Sequence, residues 1–141
     1  MNFATEEKPI RTVIDTNILV SAILFGGKPY EVLRLALQEK IVCVISPSLI
    51  AEVREVFSKK FPLKEEDFQL TLQSIEEIFE IVQPRKIVSA SRDEDDNRVL
   101  EAAVEGKCKY IITGDKDLLW LKAYKDIKIV TPEQFLKNFK N

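Results

Sequence analysis

The chain has 141 residues, of which 45% are hydrophobic and 31% charged, a composition typical of one globular domain. Its 21 basic and 23 acidic residues give a net charge of -2, which excludes a protein that binds nucleic acid through bulk positive charge. The absence of histidine excludes Ser-His-Asp and Cys-His catalysis, so any hydrolysis must use carboxylates, lysines or a metal held by oxygen ligands.

The first half of the chain alternates apolar runs with amphipathic ones, after a short leader over residues 1–9. The run RTVIDT predicts a strand, GGKPYEVLRLALQEK a helix, and IVCVIS a second strand. Ser46 and Pro47 suit the N-cap and first turn of a helix over SPSLIAEVREVFSKKF. The next segment, KEEDFQLTLQSIEEIFEIV, predicts another amphipathic helix.

The second half continues this alternation. EIVQPRKIV indicates a short strand, and SRDEDDNRVLEAAVEGK predicts a helix with an acidic start. CKYIIT predicts a strand, GDKDLLWL a turn and short helix, IKIV a last strand, and TPEQFLKNF a helix capped by Thr131. Alternating strands and helices predict a three-layer α/β/α sandwich around a mainly parallel sheet, and we expect residues 1–141 to form a single domain.

The location of the protein follows from three features of the sequence. No run of about 18 apolar residues is present, and the N-terminus lacks the pattern of a secretory signal, so we expect a cytoplasmic protein without a membrane span. The two cysteines, Cys43 and Cys108, lie in apolar runs and are predicted to be buried thiols.

Two acidic residues follow predicted strands directly, Asp15 after RTVI and Asp115 after YIITG. Ligands of an open α/β sheet bind outside the carboxyl ends of its strands, so these two carboxylates are candidates for one site. Because Asp is also a common turn residue, each has a purely structural explanation as well.

The predicted helices supply two more acids. At 100° per residue, Asp96 falls inside the apolar face of its helix, and Glu52 falls at the border of the apolar stripe of its own. Asp96 has an alternative role in a capping box with Asp93 as N-cap, and Glu52 an alternative role in a surface salt bridge. If Asp15, Glu52, Asp96 and Asp115 meet, their oxygen ligands suit Mg²⁺ or Mn²⁺.

The motifs that hold these acids resemble those of the PIN domains, a group of metal-dependent nucleases. VIDTNILVSAI is similar to the opening motif, SPSLIAEV to the second, DEDDNRVLEAA to the third and YIITGDKDLL to the fourth. The resemblance implies four metal-binding and catalytic acids, namely Asp15, Glu52, Asp96 and Asp115. It gives supporting roles to Asn17 and Thr113, while Asp93 and Asp95 compete with Asp96, and Asp117 competes with Asp115.

The resemblance also implies a five-stranded, mostly parallel sheet, a homodimer, and the toxin role of a prokaryotic toxin–antitoxin pair that cuts RNA. The partners expected from it are an RNA substrate and an antitoxin protein. Since the net charge is slightly negative, local cations must attract the RNA, and the candidates are Lys28, Arg98 and Lys116. We place the dimer interface on residues 47–60 and 64–80, because FEIVQP adds apolar side chains at Phe79, Ile81 and Val82.

Two other functions remain open at the level of the sequence. A phospho-acceptor receiver domain has a similar length and acids at a strand end, although VIDTN lacks adjacent acids. A PIN-like scaffold could bind RNA or protein without cutting, although the presence of all four acids disfavours it.

Overall fold

A computed structural model describes residues 8–60 and 65–139. Within these residues the strands β1 to β6 span Ile10–Ile14, Ile41–Ile45, Glu80–Ile81, Tyr110–Ile112, Ala123–Tyr124 and Ile127–Val130. The helices α1 to α7 span Thr16–Phe25, Gly27–Leu37, Pro47–Lys60, Glu65–Ile78, Glu94–Glu105, Lys116–Leu121 and Pro132–Phe139. Most of the predicted leader, residues 1–7, lies outside the described residues.

The strands form one sheet in the order β3-β2-β1-β4-β6-β5. Every neighbouring pair is parallel except β5 and β6. The chain winds from β1 outward to β2 and β3, and then returns to the other side of β1 with β4. This reversal puts a topological switch point between β1 and β4, where α/β sheets bind their ligands. The predicted α/β class and mainly parallel sheet are confirmed.

The sheet has six strands rather than the expected five, because a two-residue strand, β5, pairs with β6. Ala123 lies opposite Lys128 and Tyr124 opposite Ile127, so the chain turns through Lys125 and Asp126. Lys125 has a φ of 53° in this turn. Nothing in AYKDIK marks a turn of this kind, and two residues are too few to show strand periodicity.

Helices cover both faces of the sheet. On one face α5 packs so closely that a Cβ at Gly106 would lie 2.8 Å from Cγ2 of Val44. On the other face α7 covers β4, and the rings of Tyr110 and Phe135 make an edge-to-face contact with centroids 5.2 Å apart. Because successive strand residues point to opposite faces, the apolar runs of the parallel strands fill both halves of the core.

Several local predictions are confirmed by the hydrogen bonds. Oγ of Ser46 accepts from the backbone N–H of Leu49 at 3.3 Å, which caps α3. Thr131 and Gln134 exchange two such bonds at the start of α7, the arrangement of a capping box.

Both cysteines are free and buried, and burial raises the pKa of Cys43 to about 12.

The surface assigned to a dimer interface differs in part from the prediction. Phe79 and Val82 are buried. The backbone N–H of Val82 donates to the carbonyl of Ile45, which extends the pairing of β3 with β2 by one residue. Ile81 points outward and is 44% exposed. The predicted segment between α3 and α4, residues 61–64, lies outside the described residues. Among the described helices, none is both long and apolar enough to cross a membrane.

Candidate active site

A cleft of about 600 Å³ opens at the switch point between β1 and β4. Asp15 follows β1 directly, and its backbone N–H donates to the carbonyl of Ile112 at the end of β4. Asp115 comes three residues after Ile112, so the strand pairing brings both acids to one edge of the sheet. The cleft is lined by Asp15, Asn17, Ile18, Gly114, Asp115, Lys116 and Asp117.

Thr113 joins the two acids below this cleft. Its side chain is fully buried, and Oγ1 donates a hydrogen bond to Oδ2 of Asp15 at 2.7 Å. The same oxygen accepts from the backbone N–H of Asp115 at 2.9 Å. The hydroxyl thus fixes the side chain of one acid and the backbone of the other.

Asp115 is also the N-cap of α6. Its Oδ1 accepts from the N–H groups of Asp117 at 2.8 Å and Leu118 at 3.0 Å. These bonds satisfy two of the backbone N–H groups that are otherwise unpaired at the start of the helix. The cap holds the side chain in one orientation at the edge of the cleft.

Helix α5 brings a second pair of acids to the same edge. Asp93 is the N-cap and accepts from the N–H of Asp95, while its own N–H donates to Oγ of Ser91. The Asp93 N–H is therefore engaged by Ser91, and the capping box proposed with Asp96 is not formed. Asp96 is only 5% exposed, and Oγ of Ser91 donates to its Oδ2 at 3.3 Å.

Three of these acids form one cluster. Asp93, Asp96 and Asp115 each place a carboxylate oxygen within 4.8 Å of the others, a spacing that can hold a metal ion. Asp95, which competes with Asp96 in the sequence, is exposed and lies outside this group. Asp117 turns toward Arg92, whose guanidinium lies 3.3 Å from its Oδ1.

The crowding of acids changes their protonation. Burial, and then the charges of Asp115, Asp93 and Asp15, raise the pKa of Asp96 to about 7. Burial also raises the pKa of Asp15, while the hydrogen bond from Thr113 opposes this shift. Without a cation, Asp96 therefore retains its proton well above the normal titration range of aspartate.

Glu52 approaches the cluster from α3. It is partly buried, and burial followed by the charges of Asp95, Asp15 and Asp93 raises its pKa to about 7, although the nearby Thr16 hydroxyl lowers it. Oγ1 of Thr16 is itself buried and makes no hydrogen bond of normal geometry to a described group. Carboxylates that repel one another, next to an unsatisfied hydroxyl, form an all-oxygen donor set that fits Mg²⁺ or Mn²⁺.

The predicted cations lie at different distances from the cleft. Lys116 is exposed and lines it, whereas Lys28 is exposed at the start of α2 and is not among the lining residues. Arg98 pairs with Glu101 at 2.8 Å and Glu94 at 3.6 Å. Arg98 lies two residues after Asp96, about 200° around α5, so the two side chains leave the helix on different sides. Its two carboxylate partners also leave less of its positive charge for a phosphate.

Sequence reasoning included Thr113 but missed the residues that fix the loop before α5 and the side chain of Asp117. The side-chain amide of Asn97 exchanges two hydrogen bonds of 2.8 Å with the backbone of Ser91, which fixes the loop before α5. A Ser and an Asn flanking the run RDEDD could have indicated such a loop. The pairing of Arg92 with Asp117 spans 25 residues and has no local signal in the sequence.

Comparison with known proteins gives consistent matches. A family model of the PIN domain matches residues 11–117. The uncharacterized protein MJ1680 of Methanocaldococcus jannaschii is 34% identical over 147 aligned positions, which cover 95% of this chain and 94% of that protein.

Solved structures share the fold at lower identity. VapBC2 from Rickettsia felis was solved bound to a DNA fragment from its promoter. The match covers 85% of this chain and 97% of the VapBC2 chain, with a TM-score of 0.58 and 19% identity. The match with the PIN domain endonuclease Utp24 covers 87% of this chain and 85% of the Utp24 chain, with a TM-score of 0.56 and 22% identity. The match with FitAcB from Neisseria gonorrhoeae covers 86% of this chain and 98% of the FitAcB chain, with a TM-score of 0.54 and 14% identity.

Proposed function

Since this chain belongs to the PIN domain family, we propose that it is a metal-dependent endoribonuclease that hydrolyses phosphodiester bonds in RNA. The observation that carries the proposal is the cluster of Asp93, Asp96 and Asp115 beside Asp15, at the switch point of the sheet. The family assignment removes the support for a phospho-acceptor receiver domain.

The metal would be Mg²⁺ or Mn²⁺, held by Asp15, Asp96 and Asp115, with Asp93 and Glu52 beside them. Such an ion, when bound, supplies Lewis-acid activation of water and neutralises charge on the phosphate. Its charge would also favour the ionised form of Asp96, whose pKa is raised by burial and by the neighbouring acids.

The side chains around the cluster prepare it for a substrate. Thr113 orients Asp15, and the cap of α6 orients Asp115, so both carboxylates are held before RNA arrives. Lys116 on the rim of the cleft supplies a positive charge for a phosphate of the RNA backbone. Asn17, also on the rim, offers an amide to the same backbone.

The biological setting we propose is a single-domain, homodimeric toxin that acts in the cytoplasm and is inhibited by an antitoxin protein. The motifs DTNILVSA and TGDKDLL carry this proposal, since they are most similar to the toxin-like members of the family. The two free, buried thiols suit a reducing compartment. A small reading frame next to this gene, whose product blocks the activity, would support the toxin role.

The test is cleavage of a labelled single-stranded RNA with Mg²⁺, with Mn²⁺ and with EDTA. We expect cleavage only with a divalent ion. We expect Asp15→Asn to lower the cleavage rate at least about 100-fold, because losing a direct metal ligand should reduce the rate more than losing a residue that only orients a ligand. Asp126→Asn, in the exposed turn between β5 and β6, is the matched control.

Two results would overturn the proposal. Cleavage in EDTA would remove the role of the metal, and cleavage by Asp15→Asn at the wild-type rate under excess Mn²⁺ would remove Asp15 from the ligands. If the wild-type protein binds RNA but does not cut it under any of these conditions, the protein is the non-catalytic scaffold considered above.

A further inference from the structure

A second groove adjoins the acidic cleft. It has a volume of about 580 Å³ and is lined by Ala90, Ser91, Arg92, Lys116, Asp117, Trp120 and Leu121. We call it the Trp120 groove. Lys116 and Asp117 line both this groove and the cleft, so the two adjoin at the carboxyl edge of the sheet.

The indole of Trp120 is the most unusual feature of this groove. Its exposed fraction is 83%, although it belongs to the short helix α6, in which Leu118 is fully buried. The two residues lie about 200° apart around the helix, so Leu118 anchors α6 to the core while Trp120 projects from it. A large aromatic side chain left exposed next to a candidate site is typical of a binding surface.

The charges of the groove favour an anionic ligand with an aromatic part. Arg92 and Lys116 supply two cations, and the Arg92 side chain is 88% exposed. Its ion pair at 3.3 Å is with Asp117, a residue that also lines the cleft. An exposed pair of this kind stabilises little, so the guanidinium can exchange its partner for a phosphate at low cost.

We propose that the Trp120 groove binds an unpaired nucleotide of the RNA strand next to the one held in the acidic cleft. The base stacks on the indole of Trp120, and the adjoining phosphate contacts Arg92 and Lys116. This inference rests on the proposed function, because it takes RNA as the ligand of the cleft. It adds a requirement for a single strand, because a paired base is covered by its neighbours in the stack.

A partner protein could use the same side chains, since Trp and Arg are also common at protein interfaces. The groove favours RNA because it shares Lys116 with the acidic cleft and because it carries two cations beside an exposed aromatic ring. A phosphate at Lys116 would lie in the cleft and at the same time beside the residues of the Trp120 groove.

Trp120 is the only tryptophan of the chain, so fluorescence excited selectively at tryptophan, beyond the absorption band of the three tyrosines, reports on this groove alone. The experiment titrates the full-length protein with a short oligoadenylate in EDTA, which keeps binding separate from cleavage. We expect quenching of the fluorescence by RNA. By fluorescence anisotropy of a labelled oligoadenylate, we expect Trp120→Ala to weaken binding about ten-fold and Trp120→Phe to retain most of the affinity.

Ile87→Ala is the control, because this side chain is 88% exposed and does not line the groove. A second measurement uses RNAs with one abasic nucleotide at successive positions. One such position should weaken binding by the wild type about ten-fold but leave the affinity of Trp120→Ala unchanged, which identifies the stacked base.

The outcomes separate this inference from the proposed function. Unquenched fluorescence, or unchanged affinity in Trp120→Ala, overturns the base-binding groove even if the enzyme cuts RNA. If Trp120→Ala changes the mass of the protein in solution but not its affinity for RNA, the groove is a protein interface and the inference fails. A protein that binds through Trp120 but cuts nothing supports the groove and contradicts the nuclease.

Discussion

Oγ1 of Thr113 donates a hydrogen bond to Oδ2 of Asp15 at 2.7 Å, across 98 positions of the sequence. Both residues lie at the carboxyl ends of neighbouring parallel strands, where the sheet brings them together. Because Thr113 is fully buried, this bond is shielded from water, and it opposes the rise in the pKa of Asp15 that burial causes. We infer that Thr113 positions the acid rather than acting on substrate.

Replacing Thr113 with Val keeps the shape of the side chain and removes the hydroxyl. We expect RNA cleavage to fall about 10- to 100-fold, because the carboxylate of Asp15 loses the group that orients it, and we expect Thr113→Ser to recover most of the rate. The measurement is the cleavage rate as a function of Mn²⁺ concentration.

Thr12→Val is the matched control for this change. Thr12 is equally buried in β1, but its hydroxyl bonds to the carbonyl of Val42 at 3.2 Å, away from the acids. Equal losses of activity in both variants would mean that the hydroxyl of Thr113 serves only the stability of the sheet.

Asp96 makes the stability of the metal-free protein depend on pH. Its pKa is about 7 in the folded chain, whereas an unfolded Asp titrates near pH 4. The folded chain therefore binds more protons between these values, and the free energy of unfolding falls as the pH rises from about 4 to about 7. We expect Asp96→Asn, which cannot ionise, to be more stable than the wild type at pH 8 in EDTA, by roughly 1–3 kcal/mol.

Thermal unfolding of both proteins in EDTA between pH 5 and pH 8 measures this effect. Added Mg²⁺ or Mn²⁺ should stabilise the wild type at pH 8 and should stabilise Asp96→Asn much less, because a ligand is lost. Asp126→Asn, in the exposed turn between β5 and β6, should behave like the wild type in both respects. An Asp96→Asn variant that is less stable than the wild type at pH 8 in EDTA would contradict the repulsion argued here.

Attraction of RNA should depend on a few local lysines. We expect the double variant Lys28→Ala, Lys116→Ala to bind single-stranded RNA more weakly at low salt. The slope of log K against log salt should become shallower by about 0.7 for each phosphate contact that is lost. Binding at several salt concentrations, in EDTA, measures the slope.

The control is the double variant Lys40→Ala, Lys109→Ala, which removes the same charge. These exposed lysines precede β2 and β4, at the edge of the sheet opposite the cleft. If the two double variants lose affinity equally, the attraction reflects total charge and not the positions of Lys28 and Lys116.

The dimer that we propose uses the outer surface of α3, α4 and β3. Leu70 is 62% exposed, Ile78 37% and Ile81 44%, so this surface keeps apolar side chains even though Phe79 and Val82 are buried. We expect twice the chain mass by sedimentation equilibrium and the monomer mass for Leu70→Lys. Ile87→Lys, on an even more exposed apolar residue in the loop before α5, should remain dimeric. A wild-type protein of monomer mass at tens of micromolar, with or without Mg²⁺, would exclude this interface.

Features that depend on neighbours along the chain could be read from the sequence alone. The α/β class, the cap at Ser46 and the inward position of Asp96 follow from periodicity and from which residue precedes a helix. The placement of Asp15 at a strand end has the same origin, since an aspartate directly after an apolar run marks the point where the strand ends. These are properties of a few consecutive residues, and the fold does not alter them.

Features that depend on distant parts of the chain were decided by the tertiary structure. Asp93 joins Asp96 and Asp115 because the loop before α5 is fixed by Ser91 and Asn97, and Arg92 meets Asp117 because that loop lies against α6. The strand β5 forms only because β6 is there to pair with it. Trp120 faces an open groove because Leu118 takes the core side of α6. Local periodicity predicts which face of an element is apolar, but the direction and the partner of each side chain depend on how the elements pack, which no short segment of sequence specifies.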